Sequence, residues 1–243
     1  MASEEFELPE LPEQYDIQQT DAGLTLSLGA PGESNETDQL APRGVSEEDL
    51  VALAQVEAEL TARWPETDID PSLERIALLM DFLGEPQKSF KVIHVAGTNG
   101  KTSTVRMVES LLRSFGNRVG RTTSPHLQSV TERIGIDGEP IHPADFVRIY
   151  REIEPYIQMV DERTGVPMSY FEVMVGIAFA AFADAPVDVA VVEVGMGGTW
   201  DATNVVDADV DVIAPVGLDH TDYLGDTIAC LLYTSDAADE GLG

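Results

Sequence analysis

Cysteine is nearly absent from this chain. Cys230 is the one thiol in 243 residues, so no disulfide can form within the chain and no cysteine cluster can hold a metal. Positive charge is scarce as well: 14 Lys and Arg stand against 44 Asp and Glu, a formal net charge of −30. So acidic a surface excludes nucleic-acid binding by its general field, because phosphate contacts need a basic face. No apolar run reaches the roughly 18 residues of a membrane span, so no segment is expected to cross a membrane and no membrane partner is expected. Met1 to Glu13 is acidic and has no apolar stretch, which argues against a secretory leader and makes the cytoplasm the expected compartment.

What remains is a hydrophobic share of 43%, enough for a sizeable core in one α/β domain with a tail. Met1 to about Gly44 carries ten acids and one base, Arg43. Residues 1–44 therefore read as an acidic, mostly disordered extension. Ser46-Glu47-Glu48-Asp49 opens a helix with a hydroxyl cap and acids in the first turn, followed by Leu50, Leu53, Val56 and Leu60 at helical spacing and stopped at Trp64-Pro65. A second helix is predicted from Pro71-Ser72, carrying Leu73, Ile76, Leu79, Met80 and Leu83 and ending at Gly84.

The stretch that organises the rest is Val92-Ile93-His94-Val95-Ala96-Gly97-Thr98-Asn99-Gly100-Lys101-Thr102-Ser103. A strand from Lys91 to Ala96 runs into a glycine turn, and a helix from Ser103 to Phe115 follows with apolar Val105, Val108, Leu111, Leu112 and Phe115. Glycines let backbone N–H groups turn toward a phosphate, the helix N-terminus adds donors and partial positive charge, and Lys101 adds a full one. Thr102 or Ser103 offers a hydroxyl to a Mg²⁺. The spacing departs from the general phosphate loop, because Val95 stands where its first glycine would be. Around this loop, Lys88 to Arg133 holds eight basic residues against two acids, a local positive field suited to an anionic ligand.

Further strands deliver polar groups to the same end of a sheet. Arg118 to Thr122 is predicted as a strand parallel to the first, completing a βαβ unit, and Thr123-Ser124-Pro125-His126-Leu127 follows it where ligands of open α/β sheets bind. Thr131 to Ile136 reads as a strand closed by an Asp137-Gly138 turn. Pro143 to Arg163 reads as a long helix kinked at Pro155, and Ser169-Tyr170-Phe171-Glu172 leads into an apolar helix over Val173 to Phe182. Val187 to Val194 is a near-continuous Val/Ala strand with Glu193 near its end, a charge that needs a cation in such a core. A metal ion is the economical partner. Val210 to Val216 reads as another buried strand, ended by Gly217-Leu218-Asp219-His220-Thr221-Asp222. His94 and His142 read as strand and loop residues without a chemical role, and His126 as a residue of the substrate loop.

Together these motifs resemble the ATPase domain of the folylpolyglutamate synthase/dihydrofolate synthase family, in the Mur ligase superfamily. The resemblance is carried by His94 to Ser103, Thr123 to Leu127, Ser169 to Glu172, Glu193 to Asn204 and Leu218 to Gly225, and it covers about Asp70 to Ile228. It implies a phosphate-loop-containing, mostly parallel sheet with helices on both faces, incomplete at the C-terminus. The implied activity is that of an ATP- and Mg²⁺-dependent ligase, monomeric when complete, joining L-glutamate to dihydropteroate or to the γ-carboxyl of folates through an acyl phosphate. Residue by residue, Thr98, Asn99, Gly100, Lys101, Thr102 and Ser103 match the ATP loop, and Ser124, Glu193 and His220 match the magnesium ligands. Lys101, Glu193 and His220 take the catalytic roles. Ser124, His126, Ser169, Phe171, Asp201, Ala202 and Asn204 stand on the pteridine side.

Two departures stand out. Thr102 replaces the glycine that many members carry after the loop lysine, which tightens the loop and places a second hydroxyl near the metal. After Ile228 the family pattern stops, and residues 229–243 resemble a translated transposon-type sequencing adapter. The domain is thus read as residues 45–228, with a non-native tail and an inactive isolated chain. Other readings are a Mur-type amino-acid ligase acting on a cell-wall precursor, a P-loop kinase and a non-catalytic nucleotide-binding protein. Ser124-Pro125-His126 and Ser169-Tyr170-Phe171-Glu172 favour the folate side.

Overall fold

A computed structural model describes residues 15–20 and 23–28 as backbone and residues 44–65 and 72–217 with their side chains. The chain divides into two units, residues 1–43 and residues 44–243. In the first, β1 (Tyr15–Thr20) and β2 (Gly23–Leu28) pair antiparallel. Tyr15, Ile17, Leu24, Leu26 and Leu28 give these segments the alternation that pairing needs.

The second unit opens with α1 (Glu47–Thr61), whose start is a full capping box: Ser46 Oγ accepts from the Asp49 N–H at 3.1 Å and Asp49 Oδ2 accepts from the Ser46 N–H at 3.0 Å. Leu53, Val56 and Leu60 are buried, while Leu50 faces outward. Next, α2 (Glu74–Phe82) is closed by Gly84 at φ +76°. Then come β3 (Lys91–Ala96), α3 (Lys101–Ser114), β4 (Val119–Thr122), β5 (Ile134–Ile136) and β6 (Glu139–Pro140). The chain continues as α4 (Pro143–Thr164), which runs through Pro155, α5 (Tyr170–Asp184), β7 (Val189–Glu193) and β8 (Val210–Ile213).

The sheet order is β6-β5-β4-β7-β3-β8. Strands β4, β7, β3 and β8 are mutually parallel, and β5 and β6 are antiparallel additions at one edge. The predicted βαβ unit therefore has β7 inserted between its two strands. Alternation along the strands builds two cores. Val92, Ala190 and Val192 join α1, α2, α4 and α5 on one face, with Phe146, Phe179 and Phe182 fully buried. Val95 and Val191 meet Val105 of α3 on the other. Each such buried side chain contributes about 1.5–3 kcal/mol.

Three local expectations are corrected. Thr131 to Ile136 is not one strand, because Ser129 and Glu132 form a second capping box and wind Val130–Arg133 into a 3₁₀ turn before β5. Val210 to Val216 is not buried throughout: Val210 and Ile213 are exposed by 49% and 46%, since among the described residues β8 pairs with β3 on one side only. In α3, Leu111 and Phe115 lie exposed beside Met107, because one stripe of the helix suffices to cover β3, β4 and β7. Among the described residues no helix is long and apolar enough to cross a membrane.

Candidate functional site

Four parallel strands bring their carboxyl ends to one side of the sheet, so the segments following β3, β4, β7 and β8 converge. The loop after β3 is shaped by its neighbours. Gly97 has φ +124°, and a Cβ there would stand 2.6 Å from the Ala214 carbonyl oxygen, so only glycine allows this approach. The N–H groups of Thr98 and Asn99 both donate to the Pro215 carbonyl at 3.1 Å. Thr98 Oγ1 donates to the Gly217 carbonyl at 3.0 Å and accepts from the Gly217 N–H at 3.1 Å. Thr98 and Asn99 thus give the loop its form and tie it to the end of β8.

The donors that face outward belong to the first turn of α3. Gly100 is its N-cap in a left-handed conformation (φ +81°), with no side-chain cap, so the amides of Lys101, Thr102 and Ser103 lack intrahelical acceptors and form an anion site with the helix dipole. The Lys101 ammonium donates to the Gly97 carbonyl at 2.8 Å across the turn. Asn99, Gly100 and Ser103 are exposed.

Glu193 ends β7 with 4% exposure. Thr102 Oγ1 reaches both of its oxygens, at 2.9 and 3.0 Å. Burial pushes its pKa up, opposed by the Thr102 hydroxyl, the Lys101 charge, the Ser124 backbone N–H and Arg106. The structure thus brings together Thr102, Glu193, Ser124 and Lys101. A buried carboxylate beside the Thr102 hydroxyl is a hard-oxygen donor set suited to Mg²⁺, with further ligands supplied by phosphate or water. Among the described residues no three His, Cys, Asp or Glu side chains gather as a metal group. His220, the third expected ligand, lies outside the described residues, as do Leu218 to Asp222 and the tail 229–243.

The other candidates form a second cluster. Asp201 caps the 3₁₀ turn Ala202–Val205 and is buried. Its Oδ2 accepts from the Met196 N–H at 2.8 Å and its Oδ1 from the Thr203 N–H at 3.0 Å. Burial raises its pKa against those bonds and a further one from the Gly195 N–H. Phe171 lies so close under Gly195 that a Cβ would stand 2.5 Å from its ring. Ala202 is buried, and Asn204 Nδ2 donates to the Thr199 carbonyl at 3.4 Å. Ser169 caps α5, exchanging bonds with Glu172. Arg75 Nε meets both Glu172 oxygens at 3.0 and 3.2 Å, and its guanidinium lies 5.4 Å over Trp64.

His126 stands apart. Its Nδ1 accepts from Arg133 Nε at 2.9 Å, and it lines an open cavity of about 620 Å³ with Glu57, Ala58, Thr61, Ala62 and Tyr170. His142 is the N-cap of α4, its Nδ1 accepting from the Ala144 N–H at 3.2 Å. Arg75 was not singled out in the sequence, His94 was read as a strand residue without a chemical role, and Thr203 lay inside the Glu193 to Asn204 motif. Arg75 was within reach, because it precedes the core residue Leu79 by one helical turn and so shares its buried face.

No family model matches the chain. It is 60% identical over 189 residues to the dihydrofolate synthase/folylpolyglutamate synthase of Mycobacterium tuberculosis, covering 75% of this chain and 39% of that protein. The solved Mycobacterium tuberculosis folylpolyglutamate synthase complexed with ADP superposes with a TM-score of 0.73 at 57% identity, over 78% of this chain and 42% of the other. Escherichia coli FolC in complex with DHPP and ADP gives a TM-score of 0.70 at 38% identity, over 76% and 43%. The chain thus spans about two fifths of the length of these three relatives.

Proposed function

The chain belongs to the folylpolyglutamate synthase/dihydrofolate synthase family, and from that premise we propose that it carries the nucleotide and pteridine half of an ATP-dependent ligase that adds L-glutamate to dihydropteroate or to the γ-carboxyl of folates. The observation that carries the reading is the buried Glu193 carboxylate held by Thr102, a residue of the first turn of the phosphate helix. It unites an anion site and a cation site at one strand end, as phosphoryl transfer requires.

In this reading the first-turn amides of α3 and Lys101 hold the β- and γ-phosphates and withdraw charge as the γ-phosphoryl moves to a substrate carboxylate oxygen. The bond from the γ-phosphorus to the bridging oxygen breaks, ADP leaves, and an acyl phosphate forms. The glutamate amine then attacks the acyl carbon, forming the amide, and phosphate departs with the proton passing to solvent. Glu193, Thr102 and Ser124, with His220, would hold Mg²⁺. That ion supplies charge neutralisation on the phosphate oxygens. Asp201 shapes the loop against Phe171, where the pteridine ring stacks. The partners are small molecules, and the isolated chain, at two fifths of its relatives' length, is inactive in turnover.

Calorimetric titration of this chain with AMPPCP and with dihydropteroate tests the reading. Mg²⁺-dependent AMPPCP binding that is lost in Lys101→Ala, together with dihydropteroate binding that is weakened in Phe171→Ala, is expected. A chain that binds AMPPCP equally well in Lys101→Ala, or takes a UDP-linked peptide in place of dihydropteroate, overturns it.

A further inference from the structure

His94 takes no part in the phosphate and cation chemistry, yet an unbroken hydrogen-bond chain joins it to Asp201. His94 Nε2 lies 2.8 Å from Thr203 Oγ1, and Thr203 Oγ1 donates to Asp201 Oδ1 at 2.5 Å. The exposures of the three residues are 5%, 1% and 8%. A hydroxyl carries a single proton. Asp201 receives it, so Thr203 accepts from the imidazole, and the His94 proton sits on Nε2. That leaves Nδ1 bare, 3.9 Å from Asp211 Oδ1 and beyond hydrogen-bond reach. Asp201 in turn accepts from the N–H groups of Met196 and Thr203 and packs against Gly195.

We propose that His94 is a positioning residue: through the Thr203 hydroxyl it holds the Asp201 carboxylate as the acceptor that closes the Gly195–Thr203 loop, and so fixes that loop to the strand leading into the phosphate loop. His94 lies three residues before Gly97 on β3, so one strand sets both loops at the carboxyl end of the sheet. This rests on the reading that the two loops serve nucleotide and pteridine. The consequence for substrate is selective. Loss of the His94 link loosens the pteridine side and leaves the first turn of α3 unchanged.

The test begins with the unaltered chain and ¹⁵N spectroscopy of its histidine rings. At neutral pH, His94 shows the neutral Nε2–H tautomer, and Thr203→Val abolishes that single tautomer while Thr203→Ser retains it. Amide hydrogen exchange at Met196 and Thr203 quickens about tenfold in His94→Leu. His94→Gln, which can place an N–H donor near the Nε2 position, restores it. Dihydropteroate affinity falls by a similar factor in His94→Leu, and AMPPCP affinity does not change. An Nδ1–H tautomer would mean the chain runs the other way, from a protonated Asp201, and overturns the proposal, as does unchanged exchange in Thr203→Val. If the tautomer and exchange behave as stated but the unaltered chain does not bind dihydropteroate, the loop-positioning role stands and the pteridine reading falls.

Discussion

Replacing Thr102 by Val removes one oxygen, keeps the shape of the side chain, and takes from the buried Glu193 carboxylate the hydroxyl that reaches both of its oxygens. The cost depends on the charge of Glu193. A hydrogen bond to an ionised group is worth about 1.5–3 kcal/mol and one to a neutral group about 0.5–1.5. Burial raises the Glu193 pKa in the folded state. Its contribution to stability is therefore fully present below the ordinary carboxylate range and is lost as pH rises through the raised value. Thr102→Val removes a donor that favours the ionised form and raises that value further. The substitution then costs about 2 kcal/mol at a pH above the raised value, where Glu193 is ionised, and about 1 kcal/mol at a pH below the ordinary carboxylate range, where it is neutral. For a domain of this size that is roughly 4–8 °C against roughly 2–4 °C in melting temperature. Thermal unfolding followed by circular dichroism at the two pH values measures the difference, with Thr102→Ser as the control that restores the hydroxyl. Equal losses at both pH values, or a Thr102→Ser as costly as Thr102→Val, refute the reasoning.

Two other perturbations test the frame around the site. Arg75→Ala leaves the buried Glu172 carboxylate without its paired guanidinium and should cost about 3–5 kcal/mol in urea unfolding; Arg148→Ala, which breaks half-exposed pairs with Asp184 and Glu152, should cost under about 1 kcal/mol. Burial lowers the His94 pKa to about 4 from 6.5, so stability present above about pH 6.5 is lost as pH falls toward about 4, amounting to about 3 kcal/mol. His94→Gln should remove that part of the acid limb, and an unchanged acid limb in a folded variant contradicts the assignment.

Local chemistry decided which features were legible in sequence. The β3–loop–α3 unit was readable because β-branched residues, two glycines and a lysine at a helix start each have one structural use at that spacing. The buried β7 strand was readable from its unbroken Val/Ala run, and Glu193 stood out because a charge at its end needs a partner. The insertion of β7 between β3 and β4 was not readable, since strand order depends on non-local pairing. The exposure of β8 had one signal, Asp211 within an otherwise apolar Val210 to Val216, which an edge strand tolerates and a central one does not. His94 looked inert as one residue of a strand. Its partner Thr203 lies 109 positions away, and only the fold brings the Asp201–Thr203 pair to it.

The measurement that bears most directly on the central claim uses the 60% identity to the Mycobacterium tuberculosis relative. Residues 45–217 of this chain replace the matching segment of that protein, and the purified chimera is assayed for ADP release with dihydropteroate, Mg²⁺ and ATP, with and without L-glutamate. Glutamate-dependent ADP release accompanied by an equal amount of amide product, abolished by Lys101→Ala, is the expected result. A folded chimera that binds nucleotide yet forms no amide while the relative does, or one whose ADP release ignores glutamate, contradicts the account.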